Sequence, residues 1–153
     1  MSVLVRSEGL KRRSVRPAEV RVRAERMLRA LDLDDAELSI LLCDDEAIHA
    51  LNRAYRRQDR PTDVLAFAMR EGDGPLVRPE VLGDVVISLE TARRQASARG
   101  VAIVAEVTFL MAHGLLHLLG YDHQTDEEER RMSARTDALV AAASVRRSSR
   151  DAT

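Results

Sequence analysis

Residues 102–123 read A-I-V-A-E-V-T-F-L-M-A-H-G-L-L-H-L-L-G-Y-D-H. Apolar side chains fill the segment 102–119 almost all round, so a helix here has no polar face to give to water and must run through a core. His113 and His117 stand four apart, which puts both imidazoles on one face of that helix, one turn from each other. Gly120 follows where a helix can stop in a left-handed turn, because glycine takes positive φ without steric cost. The chain can then fold back and deliver His123. Three neutral imidazoles on one ion leave a fourth position open, the pattern of a catalytic rather than a structural zinc site. The plain alternative, three core histidines each with its own hydrogen-bond partner, fits poorly. Burying unpaired imidazoles in an apolar stretch costs free energy, and a shared metal satisfies all three.

Working outward, strands are expected at 2–6 (an edge strand), 37–43, 64–69 and 81–88, the last interrupted by Gly83 and Asp84. Pro17 can open a helix carrying Val20, Ala24, Met27, Leu28 and Leu31. Asp44 or Asp45 can cap a second helix with Ile48, Leu51 and Tyr55. A third spans 89–99 and stops at Gly100. Thr125 and Glu128 form a T-x-x-E capping box for a last helix to about Val145. Residues 71–75, E-G-D-G-P, read as a loop. The sum is an α/β (α+β) domain over 1–145: a roughly four-stranded mixed sheet with about five helices, one of them buried and carrying the metal ligands. Residues 146–153 read as a flexible tail.

The chain has 153 residues and 45% hydrophobic content, enough for one real core. A formal net charge of -1 gives no global basic signature, although one local basic groove remains open. The lone Cys43 excludes an internal disulfide or a Cys-rich zinc module and reads as a small buried side chain. No signal peptide and no membrane span is visible, so a soluble cytoplasmic protein with no membrane contact is expected.

The spacing H-x3-H-x2-G-x2-H is also that of one class of zinc proteases, in which a Glu follows the first His as general base. Gly114 fills that slot here and can neither take nor give a proton, which argues against peptide hydrolysis. Met132, downstream, falls inside the last charged helix and is not read as a Met-turn. His49 reads as a surface histidine.

Residues 52–67 read N-R-A-Y-R-R-Q-D-R-P-T-D-V-L-A-F. Arg53, Arg56, Arg57 and Arg60 are either a solvated helix end or a phosphate clamp, for which the guanidinium fork is well matched. Tyr55 can stack on a base or belong to the core.

Three blocks together resemble the YbeY family of endoribonucleases, or rRNA maturation factors. They are N-x-x-Y-R-x-x-D-x-P-T-D-V-L-x-F at 52–67, L-G-D-V-V-I-S at 82–88 and H-G-L-L-H-L-L-G-Y-D-H at 113–123. Ala66 departs from the family, which usually has Ser there. The resemblance implies a single-strand-directed, metal-dependent endoribonuclease acting in 16S rRNA 3′-end maturation and small-subunit quality control. It implies one Zn2+ per chain on His113, His117 and His123, with His113 and Arg56 in the catalytic centre. Arg56 is the critical arginine, placed to stabilise the charge of a pentacoordinate phosphorus. With Arg57, Arg60 and Tyr55 it would bind substrate. Implied partners are 16S precursor rRNA, the small ribosomal subunit, a small-subunit ribosomal protein and a ribosome-associated GTPase. Asp63 and Asp84 are candidates to orient a ligand histidine or a water, with a cap and a strand-end turn as their plain readings. Two other functions stay open: a metallohydrolase of peptides or small molecules, and a non-catalytic ribosome assembly factor with structural zinc.

Overall fold

A computed structural model of the chain describes residues 1–10, 14–69, 80–121 and 124–144. The elements run β1 (Ser2–Glu8), α1 (Pro17–Ala30), β2 (Glu37–Cys43), α2 (Asp45–Arg56), β3 (Val64–Ala68), β4 (Val81–Ser88), α3 (Leu89–Arg99), α4 (Ile103–Leu118) and α5 (Asp126–Ala143). The sheet order is β1-β2-β4-β3. β1, β2 and β4 are parallel, and β3 joins antiparallel to β4 at one edge. The expected mixed four-stranded sheet is therefore present, with β1 at the other edge.

Side chains alternate across the sheet, as the strand period of two requires. One face carries Leu38, Ile40 and Leu42 of β2 with Val85 and Ile87 of β4 against α1 and α4, and α5 packs on those two helices. The opposite face carries Leu65 of β3, Val86 of β4 and Cys43 of β2 against Ile48 of α2. α4 is buried through ten of its positions, including Leu110, Met111, Leu115 and Leu116. Its sheet-facing contact is made at Gly114, where an added Cβ would lie 2.8 Å from one γ-methyl of Val85 and 3.2 Å from one of Val64. Only glycine lets the helix axis come this close to β3 and β4.

The small departures from expectation have local causes. β1 runs two residues past Arg6, because its parallel ladder to β2 continues through Ser7 and Glu8 after the apolar alternation has ended. β3 stops at Ala68, and Met69 is exposed. Tyr55, expected on the apolar face of α2, is 68% exposed. The expected loop 71–75 and tail 146–153 lie outside the described residues. Among the described residues no single helix is long and apolar enough to cross a membrane.

Candidate active site

The site is built on the C-terminal end of α4. Leu119 is the cap, Gly120 follows at φ 95°, and two backbone bonds close the end: Gly120 N–H to the His117 carbonyl at 3.0 Å and Tyr121 N–H to the Leu116 carbonyl at 3.0 Å. This is the double closure of a Schellman motif, and it turns the chain back on itself immediately after His117. The two imidazoles meet as their four-residue spacing dictates. Their Nε2 atoms are 3.1 Å apart and the rings lie edge to face at 4.7 Å. Both side chains are half-buried, at the border between core and solvent.

Two imidazole nitrogens that share a tetrahedral divalent ion at bonds of about 2.0–2.1 Å stand roughly 3.3 Å apart. The His113–His117 pair fits that donor geometry, and the same distance accommodates an N–H···N hydrogen bond. Among the described residues no group of three His, Cys, Asp or Glu converges on one point. The third expected ligand, His123, lies outside the described residues, as does Asp122.

Arg56 arrives from the last turn of α2. Its guanidinium lies over the Phe67 ring at 4.8 Å from the centroid and donates to the carbonyl oxygen of Ala66. It thus reaches around β3, the edge strand, and lines a cavity of about 310 Å³ together with Val64, Ala66 and His117. Residues 61 positions apart in sequence are joined here because β3 is the outermost strand. The loop that carries α2 back to β3 is tied down twice. Asn52, buried, donates from Nδ2 to the Arg60 carbonyl at 2.9 Å. His49 pairs through Nε2 with Asp59 at 2.8 Å, and that hydrogen bond holds the Asp59 carboxyl below its ordinary range. His49 is thus a surface histidine with a structural partner.

The other expected site residues are placed as follows. Arg57 is exposed, at φ 56° in the C-cap of α2, and Arg60 is exposed in the following loop. Tyr55 sits edge to face with Phe67 at 5.7 Å, its ring open to solvent beside Arg56. Asp63, immediately before β3, accepts from Val64 N–H at 2.8 Å and from Gln95 Nε2 at 3.3 Å, so it caps the entry to that strand. Asp84 is exposed within β4, opposite Phe67 in the register, on the α2 side of the sheet. The histidine pair is on the α4 side. Cys43 is buried, and burial first, then the neighbouring carboxylates, push its thiol up to about 12, so it offers no thiolate at neutral pH.

A second cavity was not visible from the sequence. It measures about 350 Å³, opens beside His113 between α4 and α5, and is lined by Phe109, Glu129, Met132, Ser133 and Asp137. Met132 is thus close to the histidines, although it lies on a helix rather than in a turn. The one available signal was the α5 spacing Glu129, Ser133, Asp137, a single ridge at i, i+4 and i+8 that reads equally as a solvated face.

An arginine reaching around the edge strand and one histidine of a close pair thus line one open cavity, which can take an anionic group. The family model for Endoribonuclease YbeY matches residues 10–144. The chain is similar to Endoribonuclease YbeY of Syntrophotalea carbinolica, 48% identical over 120 residues, covering 77% of this chain and 80% of that protein. It is also similar to Endoribonuclease YbeY of an Anaeromyxobacter species, 48% identical over 151 residues, covering 94% and 76%. In structure it resembles the solution structure of TM1509 from Thermotoga maritima, with a TM-score of 0.64, 25% identity, and coverage of 92% and 88%. The chain belongs to the YbeY family of endoribonucleases.

Proposed function

We propose that the chain cleaves single-stranded RNA in rRNA processing, at the cavity that His117 shares with Arg56, and that the whole unit is one domain over residues 1–145. The observation that carries this reading is that shared cavity: a permanent cation and His117, one imidazole of a metal-competent pair, facing one space. Arg56 is held in position by Phe67 and the Ala66 carbonyl, so its charge is aimed before substrate arrives, which is how a preorganised donor stabilises charge that develops in a transition state. Arg57, Arg60 and Tyr55 extend the same surface outward along the path of a strand. His113, His117 and His123 would hold one Zn2+, which supplies Lewis-acid polarisation of a phosphoryl oxygen when bound. Asp63 and Asp84 remain candidates to orient groups at this site, Asp63 from the start of β3 and Asp84 from across the sheet.

The proposed substrate is the 3′ end of 16S precursor rRNA on the small ribosomal subunit in the cytoplasm, with a small-subunit ribosomal protein and a ribosome-associated GTPase as partners. The peptidase alternative is disfavoured because position 114 has no room for a carboxylate-bearing side chain against Val85. Cleavage of a 16S precursor fragment by zinc-loaded wild type, with Arg56→Ala, His117→Ala and chelator as arms, tests the reading. Chelator-sensitive RNA cleavage lost in both variants is expected. Digestion of casein but not RNA by the wild type would replace the reading with a peptidase.

A further inference from the structure

Among the described residues, Glu106 is the one buried charged side chain. It sits in the first turn of α4 at 2% exposure and pairs with Arg99, the last residue of α3, whose Nη1 donates to Oε1 at 2.7 Å. A buried carboxylate needs such a partner, yet a buried ion pair is by itself a weak stabiliser. The pair also holds a ring. The Arg99 guanidinium lies over Phe109, 5.2 Å from the centroid. Phe109 in turn faces the His113 ring, at 6.5 Å and 27° between planes. Glu106, Phe109 and His113 follow one another at i, i+3 and i+7, so they climb one face of α4 toward the histidine pair.

An imidazole that shares an ion must hold its side-chain torsions so that one nitrogen aims at that ion. A ring free to turn has to be ordered on binding, and that ordering weakens affinity. His117 meets the His113 ring edge to face from the following turn, at 4.7 Å, and Phe109 faces it from the preceding turn. Phe109 is only half-buried, on the wall of the cavity beside α5, so burial alone does not fix its ring. Arg99 adds the missing constraint, and its own head is fixed by Glu106. A planar guanidinium can donate to a carboxylate in its plane and cover a ring with its face. We propose that Phe109, held by the Arg99–Glu106 pair, is a positioning residue for His113: it keeps the imidazole turned toward His117 and so preorganises the pair for a divalent ion. This rests on the reading of His113 as a metal ligand, and it assigns part of the ion's affinity to residues outside the ligand set.

The test is the zinc affinity of the folded full chain, from competition with a chromophoric chelator well below the melting temperature of the metal-free form. Phe109→Leu keeps an apolar side chain without a flat face, and Phe109→Tyr keeps the ring. Arg99→Lys keeps a charge for Glu106 but loses the planar guanidinium. The zinc Kd should rise about fivefold in Phe109→Leu, the worth of an aromatic pair. It should rise about threefold in Arg99→Lys and stay at the wild-type value in Phe109→Tyr. A role in folding alone would lower the Tm of the metal-free form and leave the affinity of the folded protein unchanged. Arg99 is 54% exposed, so its variant carries the test if Phe109→Leu does not fold. Wild-type affinity in Phe109→Leu or in Arg99→Lys, or a loss in Phe109→Tyr as large as in Phe109→Leu, overturns the proposal. A wild type that binds no zinc fails at the earlier step, the ligand reading on which the proposal stands.

Discussion

Gly114 carries two meanings that only the structure separates. In the chain it marks the missing general base of a zinc protease, because a glutamate would be needed there. In the fold it is the point of closest approach between α4 and the sheet, with Val85 and Val64 against the space a Cβ would take. The first meaning was legible from the H-x3-H spacing, and the second was not, since it depends on a strand some thirty residues upstream. Ala at this position gains helix propensity of about 1 kcal/mol over Gly, but the contact with a rigid γ-methyl forces strain of about 1–3 kcal/mol. Gly114→Ala should therefore destabilise by roughly 1 kcal/mol in urea denaturation. Combined with Val85→Ala, which alone costs ~2 kcal/mol through its cavity, the loss should be clearly smaller than the sum, because the truncated valine vacates the space the new methyl needs. Strict additivity would remove the close-approach explanation. Arg56 makes the same point in charge: Arg56→Lys keeps the positive charge but loses the planar group that lies on Phe67 and donates to Ala66. RNA cleavage by Arg56→Lys should fall at least about tenfold, with Tm near wild type. Wild-type turnover by that variant would show that charge alone is enough.

Between elements, one aspartate joins three of them. Asp45, first residue of α2, accepts from Ser88 Oγ at 2.6 Å, from Thr91 Oγ1 at 2.6 Å and from Arg94 at 2.8 Å, while its own N–H donates to Glu90 at 2.8 Å. Ser88 is the buried last residue of β4 and the N-cap of α3, so this knot fixes where β4 ends and α2 begins. Burial alone would raise the Asp45 carboxyl, but the hydrogen bonds from Ser88, Thr91 and Arg94 together hold it below the ordinary carboxylate value. A depressed folded value contributes stability that is present above about pH 4 and is lost as pH falls through the folded value. Asp45→Asn should therefore cost about 1–2 kcal/mol at pH 7, and the gap to wild type should narrow steadily as pH falls below about 4. A gap independent of pH would mean the charge plays no part. The neighbouring N-caps show why the elements themselves were readable: Asp44, Ser88 and Thr125 each accept from the backbone N–H three residues on, and glycine ends α3. These signals are local. The strand order β1-β2-β4-β3 is not, because parallel partners separated by a crossover leave no mark at short range.

At the scale of the molecule, the site is a meeting of sequence-distant pieces around the end of one buried helix. The histidines and the arginine could be picked out because each sits in a dense motif. The cavity wall on α5 could not, because Glu129 and Asp137 look like any solvated helix face until α5 folds back along α4. The same closure would make a bound metal a structural matter as well as a catalytic one. His113 and His117 belong to α4, and His123 lies five residues past its end, so a shared ion would staple the helix to the chain that leads into α5. Such an ion stabilises only the folded form, by about 2.7 kcal/mol when the free metal is 100 times its Kd, which for a domain of this size is roughly 5–10 °C in Tm. Adding a chelator to zinc-loaded wild type should lower Tm by about that amount. His117→Ala should melt lower from the outset and show no further response to chelator, since two remaining ligands hold the ion too weakly to matter. The comparison turns on the response rather than on the Tm itself, so it survives any general destabilisation by the substitution. A chelator shift of full size in His117→Ala would place the stabilising metal elsewhere and break the assignment of this histidine as a ligand.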